Sequence, residues 1–250
     1  MTPTLAQALA ANTYPGRGIV VGRTPNGSHA ALAYFLTGRS PSSRHRVLVE
    51  QDGAVYTRAV DQARPGTPPS QGQAQADPSL IIYAALRSRG ATTVLTNGDQ
   101  TDTIMTAMAA GLSAESALRT RQYEPDAPHF TSRISAVVYT RAFVQRYQLS
   151  QLRQWRGTTC RSFWEYEGVA GSGHLIHTYS GDGDPLPAFA GEPVEVAISD
   201  DQAVWTDQLW AALDPDNRIS LLTRFIPLNG RAPLTRLINR YDPEAGEVLA

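Results

Sequence analysis

The chain has 250 residues, 42% of them apolar and 18% charged, enough for one substantial hydrophobic core and too apolar for disorder as its working state. Its net charge of -1 sets up no global field toward nucleic acid or an anionic membrane, so any basic site is local. All 22 residues counted as lysine or arginine are arginine, which excludes a Schiff-base lysine, pyridoxal phosphate anchoring and a P-loop lysine. An anion must therefore meet guanidinium groups and backbone N–H groups. The single Cys160 closes no intrachain disulfide and supplies no thiolate cluster for a metal. No apolar run nears the roughly 18 residues of a membrane span, and the opening segment lacks the pattern of a secretory leader. The expectation is a cytoplasmic protein with neither membrane nor nucleic-acid partners.

Residues 1–13 read as an N-terminal extension with Leu5 and Leu9 at helical spacing, ended by Pro15 and Gly16. GIVVGRTPNGSHAALAYFL, residues 18–36, is two β-rich runs around a Pro-Asn-Gly turn, a hairpin signal. VLVEQDGAVYTRAV, residues 47–60, repeats it around Asp52-Gly53. RPGTPPSQGQAQADP, residues 64–78, is rich in Pro, Gln and Gly and predicts a mobile loop.

SLIIYAALRSRG fits a helix or a buried strand, and ATTVLTNG a strand ending at Asn97-Gly98. Asp102 can cap a helix whose Ile104, Met105, Met108 and Ala109 share a face and which Gly111 closes; Ser113 can cap a second helix running toward Tyr123. Pro125 disfavours helical geometry at Glu124, which places that carboxylate in a loop. Beyond residue 130, ISAVVYT, RSFWEYEGV, HLIHTYS, PVEVAIS and ISLLTRFIPL read as strands, and QAVWTDQLWAALD as a late helix. Hairpin-derived strands at both ends with paired helices between them predict α+β layers, in one domain over residues 14–250, rather than a βαβ nucleotide fold.

Four places could carry chemistry. Thr37–Arg46 gathers Arg39, Arg44, His45 and Arg46 near Arg23 and the Asn-Gly turn, a composition that suits a phosphate or a merely solvated loop. TNGDQTDT, residues 96–103, stands at a helix N-terminus, but Asp99 and Asp102 oppose a phosphate there and fit capping or ribose hydroxyls better. Glu124 is a loop carboxylate, and Tyr83 is either a core tyrosine or a hydroxyl donor facing a pocket. His174 and His177 fall on a strand and face opposite ways, so they are a poor chelate. GxSxG, HExxH, GxxxxGK and CxxC are all absent.

Taken in order and spacing, GRTPNGSHAALAYFLTGRS, LIIYAAL, VLTNGDQTDTIMTAMAAGLSAESAL and YEPDAPHFTSRISAV resemble the archaeal-type IMP cyclohydrolase family over roughly residues 14–138. TNGxxTDTI is the most specific block. The resemblance implies an α+β fold: a four-layer αββα sandwich like that of N-terminal-nucleophile hydrolases, without self-processing. It implies closure of the purine ring of 5-formamidoimidazole-4-carboxamide ribotide to IMP and water, with no cofactor and no metal. It further implies Arg39, Tyr83 and Glu124 at the reacting end, and Arg23, Asn26, Ser28, Asn97, Asp102 and Arg133 on the phosphate, ribose and carboxamide. The partner is then a purine ribotide; the oligomeric state is open, a homo-oligomer included. The alternatives are an amide hydrolase on the same scaffold and a purine-nucleotide-binding protein without turnover.

Overall fold

Tight turns fold the apolar runs back on themselves. The structure is a computed structural model that describes residues 2–10, 12–60 and 82–241; the loop expected at 64–78 lies outside the described residues. Arg17–Arg23 (β1) and His29–Thr37 (β2) pair across the Asn26-Gly27 turn, where Gly27 takes φ +69°. Arg46–Gln51 (β3) and Ala54–Ala59 (β4) pair across Asp52-Gly53, at φ +52° and +74°. Between the hairpins Pro41–Arg44 (α2) is a single turn of helix capped by Ser40.

SLIIYAALRSRG supplies a strand: Ala84–Arg89 (β5) pairs with Thr92–Thr96 (β6). Helices Gln100–Ala109 (α3) and Ala114–Arg119 (α4) follow, α4 starting at Ser113, whose side chain accepts from the Ser116 N–H. The cap expected at Asp102 needs correction. Asp99 holds the N-cap position of α3, without a capping bond of its own, because Arg121 and Arg133 take its carboxylate. Asp102 lies in the first turn and pairs with Arg87.

The chain continues through Arg133–Arg141 (β7), Val144–Trp155 (β8), Thr158–Glu167 (β9), Ser172–His177 (β10) and Val194–Ala197 (β11). It ends in helix Gln202–Ala212 (α5), then Arg218–Pro227 (β12) and Leu234–Asn239 (β13). One antiparallel sheet has the order β11-β10-β1-β2-β12-β13, the other β3-β4-β5-β6-β7-β8-β9. Because side chains alternate along a strand, Ile19, Val21, Leu32 and Leu36 of the first sheet share a core with Leu86, Leu95, Ile134 and Leu149 of the second.

The outer faces are covered by helices. Val20, Ala33 and Phe35 pack under Trp205 and Leu209 of α5 and under Leu5 and Leu9 of the N-terminal helix Leu5–Leu9 (α1). Val94, Val137 and Leu152 pack under Ile104 and Leu118 of α3 and α4. The fold is thus an α+β sandwich of two antiparallel sheets with helices outside each. No helix among the described residues is long and apolar enough to cross a membrane.

Candidate active site

Antiparallel alternation carries the starts of β1, β3, β5 and β7 and the ends of β2, β6 and β10 to one end of the sandwich. Gly16 sets up the first of these. Its φ is +73°, and a Cβ there would stand 2.2 Å from Thr178 Oγ1, so glycine alone lets the chain turn tightly into β1. Arg17 follows, its backbone N–H donating to Thr178 Oγ1 at 3.1 Å. Its guanidinium points between the sheets and Nη2 donates to Glu124 Oε2 at 2.9 Å, both side chains being buried.

Glu124 sits in the loop between α4 and β7, as its Pro125 neighbour predicts, but it is only 2% exposed. Its N–H donates to the Thr131 carbonyl at 2.9 Å, and Asp126 accepts from both the N–H and the hydroxyl of Thr131, which ties the loop down. Oε1 of Glu124 is buried with no hydrogen-bond partner among the described residues. Burial makes this carboxyl hold its proton more firmly than usual; Arg17 and Arg133 oppose that rise and Asp126 adds to it.

Next to this pair the hydroxyls of Tyr34 and Tyr83 lie 2.6 Å apart, both rings buried. Burial pushes the Tyr34 hydroxyl far up, so it keeps its proton at neutral pH. Tyr179, hydrogen-bonded to Thr131, is pushed up to about 12 for the same reason. Arg46 completes the group. Its buried guanidinium interacts with Tyr83, Arg17, Tyr34 and Glu124, and burial pulls it below its ordinary value. Its Nε donates to the Ser43 carbonyl at 3.1 Å, and no carboxylate pairs with it among the described residues. Buried guanidinium groups outnumber the carboxylates facing them, a balance that favours an anionic ligand.

The sequence-derived residues divide between the two ends. Tyr83, Glu124 and Arg133 belong to the cluster; Arg133 donates to Asp99 and Gln100 at 2.7 and 2.8 Å while its Nε is buried without a partner among the described residues. Asn97 borders it and is tied to the wall, accepting from the Ile134 N–H and Gln100 and donating to the Ser132 carbonyl. Arg39 stands at the rim, paired with Asp182 and lying 4.6 Å over the Tyr14 ring, which stacks on Tyr179. Asp102 faces solvent beside Arg87.

Arg23, Asn26 and Ser28 lie at the opposite end of β1, roughly 20 Å from Arg17 at the usual rise per strand residue. Arg23 donates to the carbonyls of Gly27 and Phe143, and Asn26 Oδ1 accepts from Thr24 and Ser28. These groups hold the turn, and the structure does not bring them to Glu124. A cavity of about 660 Å³ also opens at that far end, lined by Tyr139, Arg141, Arg146, Tyr147 and Tyr166 and by none of the clustered residues.

A family model described as IMP cyclohydrolase-like protein matches residues 14–230. The chain belongs to this family. No curated protein matches it. The IMP cyclohydrolase-like match begins at Tyr14, whose ring stacks on Tyr179 at the mouth of the cluster, and so takes in every clustered residue. Sequence reasoning did not single out Arg17, Tyr34 or Tyr179. For Arg17 the signal was Gly16 immediately before a strand; Tyr34 and Tyr179 read as ordinary core tyrosines.

Proposed function

We propose that this end of the sandwich closes the purine ring of 5-formamidoimidazole-4-carboxamide ribotide. The carboxamide nitrogen attacks the formyl carbon of the same molecule. The formyl oxygen leaves as water, taking one proton from the carboxamide nitrogen and one from the formamido nitrogen. The chain's task is to hold one rotamer, stabilise charge on the formyl oxygen and move protons.

The observation that carries the reading is the buried Oε1 of Glu124, without a partner among the described residues, beside the hydrogen-bonded hydroxyls of Tyr34 and Tyr83 and the uncompensated Arg46. Glu124, kept ionised by Arg17 when substrate binds, accepts the carboxamide proton as the bond forms. The Tyr34–Tyr83 pair donates to the formyl oxygen, and Arg46 with Arg17 supplies the positive field that oxygen or the substrate's phosphate meets. Arg39 reaches the substrate from the rim by exchanging Asp182 for it. Arg133 and Asn97 hold the wall behind Glu124. A likeness to the scaffold of N-terminal-nucleophile hydrolases, without processing, fits paired sheets flanked by helices and a β1 that opens on Gly16 and Arg17 rather than on Ser, Thr or Cys.

Product analysis tests the reaction. Incubation of the purified protein with the formylated ribotide should give IMP with no formate. Release of formate identifies an amide hydrolase instead, and binding without conversion identifies a sensor.

A further inference from the structure

The two sheets have four edges, and three are short: β11 has four residues, β3 and β13 six each. The fourth, β9, has ten and pairs with β8 without a register shift. TTCRSFWEYE contains no proline and no bulge against β8, so β9 keeps a regular edge, and its charges are of both signs, Arg161 against Glu165 and Glu167. The bond from the Gly168 N–H to the Gln145 carbonyl fixes the phase of the ladder. Even-numbered residues of β9 exchange hydrogen bonds with β8, and the N–H and C=O groups of Thr159, Arg161, Phe163, Glu165 and Glu167 point off the edge. No described strand pairs with them.

We propose that β9 pairs antiparallel with β9 of a second copy of this chain, about a two-fold axis at Phe163, joining the seven-stranded sheets of the two copies edge to edge. Outward groups sit on odd residues, so odd residues must meet odd residues. Near-full overlap then leaves an axis at Ser162 or at Phe163. An axis at Ser162 sets Arg161 against Phe163 and Glu165 against Thr159. An axis at Phe163 sets Arg161 of each copy directly opposite Glu165 of the partner subunit, twice by symmetry, with Phe163 meeting its own copy.

Both charges are already held in place. Arg161 donates to the carbonyls of Leu118, Arg119 and Arg121 at the end of α4 and, at 3.4 Å, to the outward Thr159 carbonyl of its own strand, which a paired strand would take over; Glu165 accepts from Gln148 Nε2 at 3.1 Å. The two side chains share the outer face of the sheet with Phe163, which packs against the α3 and α4 cluster.

Sedimentation equilibrium of the full chain at micromolar concentration tests this pairing, and it does so independently of any activity. The wild type should be a dimer. Glu165→Pro removes an outward N–H and leaves the backbone bonds to β8 intact, so it should give a monomer with an unchanged circular dichroism spectrum. Glu165→Arg sets like charges opposite each other and should raise the dimer Kd about tenfold or more. If the proline variant fails to fold, the arginine variant decides. A wild-type monomer throughout the micromolar range, or a dimer whose Kd neither substitution changes, overturns the proposal.

Discussion

At the scale of residues, the account rests on Glu124. Substitution by Gln keeps an acceptor for Arg17 and removes the base, so turnover should fall on the order of 100-fold or more while the thermal midpoint stays near the wild-type value. The pH profile adds a sign. Activity requires the ionised carboxylate, and burial raises its pKa in the free protein, so the acidic limb of kcat/KM should lie above the ordinary carboxylate value of about 4.3. A limb at or below that value contradicts the role. His177 makes a separate prediction about stability. Burial lowers it to about 4, and its Nδ1 lies 2.8 Å from the Tyr179 carbonyl. The folded state holds it neutral while the unfolded chain protonates it near pH 6.5, so its contribution is complete above that value and is lost as pH falls toward 4. Between pH 7 and pH 5 this costs about 2 kcal/mol, which His177→Asn should abolish in paired urea titrations. The loop position of Glu124 was legible from Pro125. Its burial was not, because that depends on Arg17, more than a hundred residues away in the chain.

At the scale of elements, turns decide both stability and the placement of the site. Gly16→Ala combines positive φ with a clash against Thr178 and Tyr179, so it should cost about 1 to 3 kcal/mol and depress turnover by moving Arg17. The two-residue turn between β7 and β8 works in the other direction. Ala142 and Phe143 both have positive φ, at +49° and +68°, and Phe143 is 65% exposed, so Phe143→Gly should stabilise the protein by about 1 kcal/mol in urea unfolding. Asn26-Gly27 and Asp52-Gly53 announced their hairpins because their residue types suit left-handed backbone. Ala142-Phe143 announced nothing, and β8 was missed with it. The alternation of VQRYQLSQLRQW is blurred by Gln145 and Gln151, which face inward and donate to the carbonyls of Gly22 and Phe189. SLIIYAALRSRG was ambiguous between helix and strand until pairing of β5 with β4 and β6 settled it.

At the scale of the whole molecule, composition and turn spacing gave the class, paired helices among hairpin-derived strands, but not which strands share a sheet. That β1 lies between β10 and β2, and that Arg17 therefore meets Glu124, depends on contacts between distant segments that no local pattern encodes. The same topology separates the two ends of β1, which is why Arg23, Asn26 and Ser28 stand away from Tyr83 despite lying in one continuous stretch with the reacting arginines. The most direct measurement is single-turnover conversion of the formylated ribotide by wild type, Glu124→Gln and Asn26→Ala, followed by the appearance of IMP. The account predicts fast closure by the wild type, loss on the order of 100-fold or more in Glu124→Gln, and near-normal closure in Asn26→Ala. Unchanged closure in Glu124→Gln, or a loss confined to Asn26→Ala, would contradict a reacting centre at Glu124.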